Sequence, residues 1–457
     1  MRLAARLPQA RTKVERMKAN WWLSLCLMVV STGAAAAGRP VTLEEARRAA
    51  LEQSLEGAEL DLALAQARSV AESAWATLRP SVNVTGQLTY NDHETALSYD
   101  IPAIPGFSEA SSVNQIVTPQ WDYRGTVTLT QTLFNRRAYP ALGVAESLAE
   151  VTGSERAMAQ YRLVEGVDEA YFAALLLARS SEVASRNLAT SRVELERAEK
   201  LLSGRVGTEF AVTRAKLSVQ SAEQDVASSE LGYRQALESL AALLRSDEAV
   251  EVVAPTALPT PPARASLTEQ ALLSRPELAR AAGLVTVESH KLEEGEGQLW
   301  PTLAAQLQSN LQQTTAFNDE AFRWNAALVF NWDLYAGGAT VAEIDRRALS
   351  VQRAELAQRR AEEAVTRGLE QAYTRWEKAE SLVASSRSRA ELSKALLEQA
   401  KRSEAGGTAS RLDVELAQSQ AYGAELAVVQ AEVEQTASVV ALYRMAGLAK
   451  PGEPLLK

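Results

Sequence analysis

Trp121-Asp122-Tyr123-Arg124-Gly125-Thr126-Val127-Thr128-Leu129-Thr130-Gln131-Thr132-Leu133 is the stretch on which the fold turns. Trp121, Tyr123, Val127, Leu129 and Leu133 alternate with Asp122, Arg124, Thr126, Thr128, Thr130 and Thr132. Side chains on a strand point to opposite faces in turn, so this pattern predicts a strand with one apolar and one polar face. Three other stretches share it. Val82, Val84, Leu88 and Tyr90 alternate with Asn83, Thr85, Gln87 and Thr89. Leu303, Ala305, Leu307 and Leu311 alternate with Gln306, Gln308, Asn310 and Gln312. Phe322, Trp324, Ala326, Leu328, Phe330, Trp332 and Leu334 alternate with Arg323, Asn325, Asn331 and Asp333.

These lengths match the roughly 9–11 residues of a tilted strand that crosses a bilayer, apolar toward lipid and polar toward a lumen. Trp121, Trp300, Trp324 and Trp332 stand on or beside the strands, with Tyr90, Tyr123, Phe134 and Tyr335. Aromatic residues near strand ends suit an interfacial girdle. A soluble sheet with one buried face would show the same alternation. Strand length, aromatic placement and the export leader described below favour the membrane.

Outward from the strands, proline marks where long helices are permitted, because it costs about 3 kcal/mol inside one. There is none between Pro40 and Pro80, between Pro140 and Pro255, or between Pro301 and Pro451. Those gaps are filled with Ala, Leu, Glu, Gln, Arg and Lys. A helix from about Leu142 to Leu202 would be roughly 90 Å long, a length for coiled coils, tunnels or rods.

The chain repeats itself. Ala170-Tyr171 and Ala372-Tyr373, Gly204 and Gly406, Thr208 and Ser410, Val212 and Val414, and Ala215 and Ala417 all stand 202 residues apart. Thr42-Leu43-Glu44-Glu45-Ala46 parallels Ser266-Leu267-Thr268-Glu269-Gln270-Ala271, each carrying the pattern of a capping box that opens a helix. Leu78-Arg79-Pro80 parallels Leu299-Trp300-Pro301 where helix gives way to strand. The expected organisation is a first repeat over 38–250, with strands near 81–90 and 121–134 and a helical turn near 204–208. A linker over 251–265 holds Pro255, Pro259, Pro261 and Pro262. The second repeat covers 266–449, with strands near 302–312 and 322–335 and a turn near 405–410, before a tail over 450–457. Each repeat reads helix, strand, loop, strand, long helix, turn, helix. The inter-strand loops, about 91–120 and 313–321, face away from the helices.

Residues 1–37 read as an export signal: Arg2, Arg6, Arg11, Lys13, Arg16 and Lys18, an apolar Trp21–Val30, and small residues at Ala34–Ala37. Met17-Lys18 would open a more typical leader. Cys26, the one cysteine, would leave with it, and so disulfides and thiolate sites are not expected. Removal shifts the formal charge from −9 to about −14, which argues against nucleic acid as a partner. Mean hydropathy is −0.16, and no later apolar run reaches the ~20 residues of a spanning helix. His93 and His290 lack neighbours for a metal or catalytic group; Glu293, Glu294 and Glu296 read as a solvated face. No phosphate-cradling glycine loop or nucleophile elbow is present, so no enzyme activity and no cofactor are expected.

Four strands cannot close a barrel, and an open edge in lipid leaves unsatisfied backbone groups at several kcal/mol each. Strands that span therefore demand oligomerisation, and three copies give twelve. The sequence resembles the outer membrane efflux protein (TolC) family over about residues 41–449. The likeness rests on Thr42–Ala46, the Leu-x-Pro junctions at 78–80 and 299–301, Arg275-Pro276-Glu277-Leu278, and Gly407-Thr408-Ala409-Ser410-Arg411-Leu412-Asp413-Val414-Glu415-Leu416-Ala417-Gln418. The resemblance implies a mostly α chain with a membrane β-barrel portion, in which four β-strands per protomer complete a 12-stranded trimeric barrel on a long periplasmic α-helical barrel. It implies an outer-membrane channel of a tripartite efflux pump or type I secretion system. Its partners would be two further copies, a periplasmic adaptor, an inner-membrane transporter and outer-membrane lipid. It also implies a constriction at the periplasmic entrance, placed here at Asp413 with the apolar Leu416, and adaptor-facing turns at Arg205, Val206, Gly207, Gly406 and Gly407. An acid at a helix start also serves simply as a cap. A periplasmic coiled-coil structural protein would explain the helices but not the strands; a self-standing porin would explain the strands but not the helices.

Overall fold

The computed structural model describes residues 39–452 apart from 104, 107–110, 247, 256–259 and 314–319. The expected leader with Cys26, the middle of the 313–321 loop, part of the linker and most of the tail lie outside the described residues.

Short strand β1 (Arg39–Val41) leads into helices α1 (Leu43–Gln53) and α2 (Leu55–Ala74). Next come β2 (Ser81–Tyr90), β3 (Thr95–Ile101), β4 (Ser111–Thr118) and β5 (Trp121–Asn135). Long α3 (Ala138–Ser203) and α4 (Glu209–Leu244) follow, then β6 (Val250–Val252). The second repeat runs α5 (Arg264–Ser274), α6 (Pro276–Glu296), β7 (Thr302–Gln312), β8 (Phe322–Asn331), α7 (Ala339–Ala405) and α8 (Arg411–Met445). At 66 and 67 residues, α3 and α7 are each roughly 100 Å long.

Several features depart from the sequence reading. Each leading helix is broken in two, by different chemistry. In the first repeat Ser54 turns extended and its hydroxyl accepts the Gly57 N–H, so one residue ends α1 and caps α2. In the second, Pro276 forces Arg275 out of helical conformation (φ −75°, ψ 126°) and opens α6. The Thr42 capping box forms as expected, but the Ser266 box does not. Helix α5 already begins at Arg264, as soon as the prolines end, so Ser266 lies inside its first turn. The strand expected to run to 335 stops at Asn331, because its partner β7 begins opposite at Thr302. Trp332 instead donates its indole N–H to the Leu299 carbonyl at 3.0 Å. The loop at 91–120 contains the hairpin β3–β4, an outward continuation of the β2–β5 ladder through Asn91 N–H and the Gln120 carbonyl.

The main sheet is antiparallel with order β2-β5-β7-β8. Directly opposed residues share a face, and the register places all the apolar positions together. Val82 faces Leu129 and then Leu307 and Ala326; Leu88 faces Tyr123; Leu311 faces Phe322. A bulge between Thr132 and Phe134 keeps Phe134 on the apolar side, opposite Leu303. Helices continue from the sheet's inner end. Beneath it α2, α3, α6 and α7 lie side by side in that order, and further away α3 pairs with α4, and α7 with α8.

Those distal pairs have small-residue seams. Ala379, Val383, Ser386 and Ala390 on α7, and Val414, Ala417, Ala421 and Ala424 on α8, are buried at alternating spacings of three and four. That is a coiled-coil seam whose alanines permit close approach. Between the two regions sit two apolar cores. The first holds Val167, Leu240 and Leu244 beneath the parallel pair β1–β6, and the second Leu369, Leu442 and Ala446, each 202 residues later. In the first, Tyr171 is fully buried; its hydroxyl accepts the Val253 N–H at 3.2 Å and lies 3.0 Å from the Val41 carbonyl. Burial pushes its pKa up to about 12, so it remains neutral and ties β1 to the chain after β6.

Candidate functional site

The wall of the prospective channel is the polar face of the main sheet. It carries Asn83, Thr85, Gln87 and Thr89 on β2, Asp122, Arg124, Thr126, Thr128 and Thr130 on β5, Gln306, Gln308, Asn310 and Gln312 on β7, and Arg323 and Asn325 on β8. Hydroxyls and amides dominate, cross-linked by Thr126 Oγ1 to Asn310 Oδ1 at 3.0 Å and Gln308 Nε2 to the same oxygen at 3.2 Å. The opposite face carries no charged residue on any of the four strands. Its aromatics form two bands. At the outer end the Tyr90 and Trp121 rings meet at 4.8 Å with their planes tilted by 56°, with Phe322 and Trp324 on β8. At the inner end stand Phe134 and Phe330, with Trp332 just past β8 and Trp300 just before β7, all four exposed. From Phe322 to Trp332, just past the end of β8, is ten residues, about 33 Å of extended chain, which a tilt near 45° converts to roughly the 25 Å of an outer-membrane apolar belt. Among the described residues, no helix is long and apolar enough to cross a membrane.

At the far end of the helices, the two turns have the same hydrogen bonds 202 residues apart. Arg205, Val206 and Gly207 donate to Leu202, Leu201 and Leu201; Gly407, Thr408 and Ala409 donate to Glu404, Ser403 and Ser403. The left-handed residue is Gly407 in the second turn (φ 72°) but Arg205 in the first (φ 61°). Gly207 is required for a different reason: a Cβ there would sit 2.8 Å from the Leu202 nitrogen. Val206 and Phe210 are among the most exposed apolar residues of the chain, at 81% and 74%.

Asp413 closes a capping box at the start of α8. The Ser410 N–H and hydroxyl both donate to its Oδ2 at 2.8 Å, while its own N–H donates to the Ser410 hydroxyl at 3.3 Å. These bonds hold its carboxyl below the usual range, so it is ionised at neutral pH, and Oδ1 is not committed to the cap. Thr208 caps α4 in the same way, but with Ala211 in the acid's place no box closes there. Leu416 is exposed one turn along α8.

Two charge clusters escaped the sequence reading. At the tip Arg411 reaches Glu194 of α3 at 2.5 Å and Glu404 of α7 at 3.3 Å, and Arg214 of α4 reaches Glu415 of α8 at 2.7 Å, joining the two helical pairs. In the middle of the molecule Asp168 is buried and accepts from Arg47 Nε at 2.6 Å, Arg47 Nη2 at 2.7 Å and Arg444 Nη1 at 2.7 Å. Arg444 also reaches Glu165 at 2.6 Å, and its carbonyl accepts from Arg275 at 3.1 Å. Arg275, Arg411 and Glu415 lie in segments that carry the family likeness, but no local signal marked any of these residues as ion-pair partners. Glu294 likewise is not simply solvated. It pairs with Arg137 at 3.4 Å and Arg347 at 3.0 Å, tying α3 and α7 to α6 just below the sheet. His290 packs its ring against Gly143 of α3.

The outer membrane efflux protein family model matches residues 46–245 and 267–448, most of the chain. The chain belongs to the outer membrane efflux protein family. It is also 25% identical over 359 residues to outer membrane efflux protein BepC of Brucella suis biovar 1 (strain 1330), covering 75% of this chain and 77% of that one. Its fold is similar to a membrane protein from Pseudomonas aeruginosa, at TM-score 0.73 and 16% identity, over 89% of this chain and 93% of that chain. It is similar too to the outer membrane protein VceC of Vibrio cholerae, at TM-score 0.71 and 16% identity, over 89% and 96%. The protein is an outer-membrane efflux channel component, in a family of transport conduits and not of enzymes.

Proposed function

We propose that three copies close edge to edge into a twelve-stranded barrel, continued by their helices as a periplasmic tunnel that passes cargo to the exterior in a tripartite efflux pump. One observation carries this reading: both flanks of the protomer are unfinished in the same way. Strands β2 and β8 each have one unpaired edge, and the helices continuing from them carry exposed apolar stripes. On α2 the stripe is Leu55, Leu62 and Val70; on α7 it is Val341, Leu349 and Leu356. Joining β8–α7 of one copy to β2–α2 of the next pairs the backbone groups and buries both stripes together.

In this assembly the Asp413 carboxylates form a charged ring and Leu416 an apolar collar at the periplasmic entrance. The turns at Arg205, Val206, Gly207, Gly406 and Gly407 are the contact for a periplasmic adaptor that couples the channel to an inner-membrane transporter. Trp121, Trp300, Trp324 and Trp332 anchor the barrel at the two lipid interfaces. The conduit works without a cofactor. For the test, Leu62→Cys and Leu349→Cys are introduced together, and the detergent-solubilised protein is oxidised. A covalent trimer is expected. A protein of monomeric mass with no inter-copy disulfide would sink the reading.

A further inference from the structure

The polar face of the barrel wall is neutral along nearly its whole length, and its strand charges gather at one end. Arg124 occupies the row Gln87–Arg124–Gln312, and Arg323 the adjacent row Thr85–Thr126–Asn310–Arg323. Both rows lie toward the outer ends of the strands. Asp122 is the one acid on this face, 3.9 Å from Arg124, and Glu320, just before β8, is 3.4 Å from Arg323. Both arginines are half exposed or more, and such solvent-facing ion pairs are weak enough for a guanidinium to exchange partners. The rows are about 7 Å apart along a strand, and β5 and β8 about 10 Å apart across β7, within reach of two long flexible side chains. The strand charges of this wall, two arginines against the single acid Asp122, contrast with a chain whose formal charge is −9.

We propose that Arg124 and Arg323 form an anion-recognising belt at the exit of the channel, favouring cargo that carries carboxylate, sulfate or phosphate groups over cationic cargo. The proposal rests on the trimeric channel reading, which places six such arginines around one lumen. Guanidinium is suited to the task because its planar fork binds these groups through two parallel N–H bonds, whereas the surrounding amides and hydroxyls supply single neutral ones. Anions leaving the barrel would be drawn through this level, beyond which Asp92 and Glu94 follow β2 and Asp100 lies on β3.

The experiment is single-channel recording in planar bilayers, with inositol hexakisphosphate or spermine added on the barrel side. In an Asp413→Ala background, which removes the carboxylate ring at the opposite end, the hexakisphosphate is expected to block at concentrations where spermine has no effect. Arg124→Gln with Arg323→Gln should weaken that block roughly tenfold or more. Equal block with and without the two arginines, or spermine blocking the Asp413→Ala channel as well as the polyanion does, overturns the proposal. Absence of any conductance would instead count against the channel reading. Calorimetric binding of hexakisphosphate to the detergent-solubilised protein, retained or lost in the double variant, then decides the arginines' role.

Discussion

Asp168→Ala is expected to be the most damaging single substitution outside the strands. Its carboxylate takes three charge-assisted bonds of 2.6–2.7 Å from two guanidiniums. Asp168 is 3% exposed, Arg47 5% and Arg444 7%. After truncation Arg444 keeps Glu165 at 2.6 Å, but Arg47 loses both of its bonds and is left as a buried charge. Breaking a buried pair from one side costs about 3–5 kcal/mol, because the stranded ion keeps its desolvation penalty. Replacing both partners with apolar groups of similar volume is often near neutral, so Arg47→Met with Asp168→Leu should recover most of the loss. Guanidinium unfolding of the detergent-solubilised protein, followed by circular dichroism, measures both. A loss under about 1 kcal/mol for Asp168→Ala, or a double variant as unstable as the single, would refute the account of the cluster as mutually compensating charges.

The two left-handed arginines offer the opposite experiment. Arg205 and Arg245 both have positive φ, and the residues 202 positions later are Gly407 and Gly447, also at positive φ. Arg205→Gly and Arg245→Gly should each stabilise by about 0.5–1 kcal/mol, the relief of Cβ strain less the added chain entropy; unchanged unfolding midpoints would argue against strain. Asp413→Ala should speed amide exchange at Ser410, whose N–H loses its acceptor, and as a test of the gate should alter conductance and divalent-cation block. If conductance and block stay as in the wild type while exchange rises, the carboxylate is a cap and nothing more. Glu343 is held down to about 2 by hydrogen bonds from Arg346 and Arg347. Its folded value lies below the ordinary carboxylate value, so its contribution is complete above about pH 4.5 and is lost as pH falls through about 2. Acid unfolding read by tryptophan fluorescence should therefore be steeper between those values in the wild type than in Glu343→Gln, and superimposable curves would show that this ion cluster does not stabilise the fold.

The strands and long helices were legible because their signals are local. Alternation across Trp121–Leu133 depends only on neighbouring side chains, and the proline-free runs only on whether each residue tolerates helical backbone. The repeat was legible too, since a fixed offset survives any folding. Features that depend on a second segment were not. Ser266 carries the pattern of a capping residue, yet where the linker prolines end set the start of α5. The last residues of the fourth strand alternate well, but β7 offers them no partner. Glu294 looked solvated because nothing near it in sequence reveals Arg137 and Arg347.

The buried cluster marks the boundary most clearly. Arg47 and Asp168 are 121 residues apart, and Asp168 and Arg444 276. A charge pattern along the chain cannot say which of many arginines will be desolvated, because desolvation is set by everything that packs around the group. Composition and periodicity therefore determined that this chain makes, twice over, a pair of amphipathic strands on long paired helices, four strands in all. Which charges are buried together, where each helix starts and stops, and which edges remain open for another copy were decided only when the segments met in space.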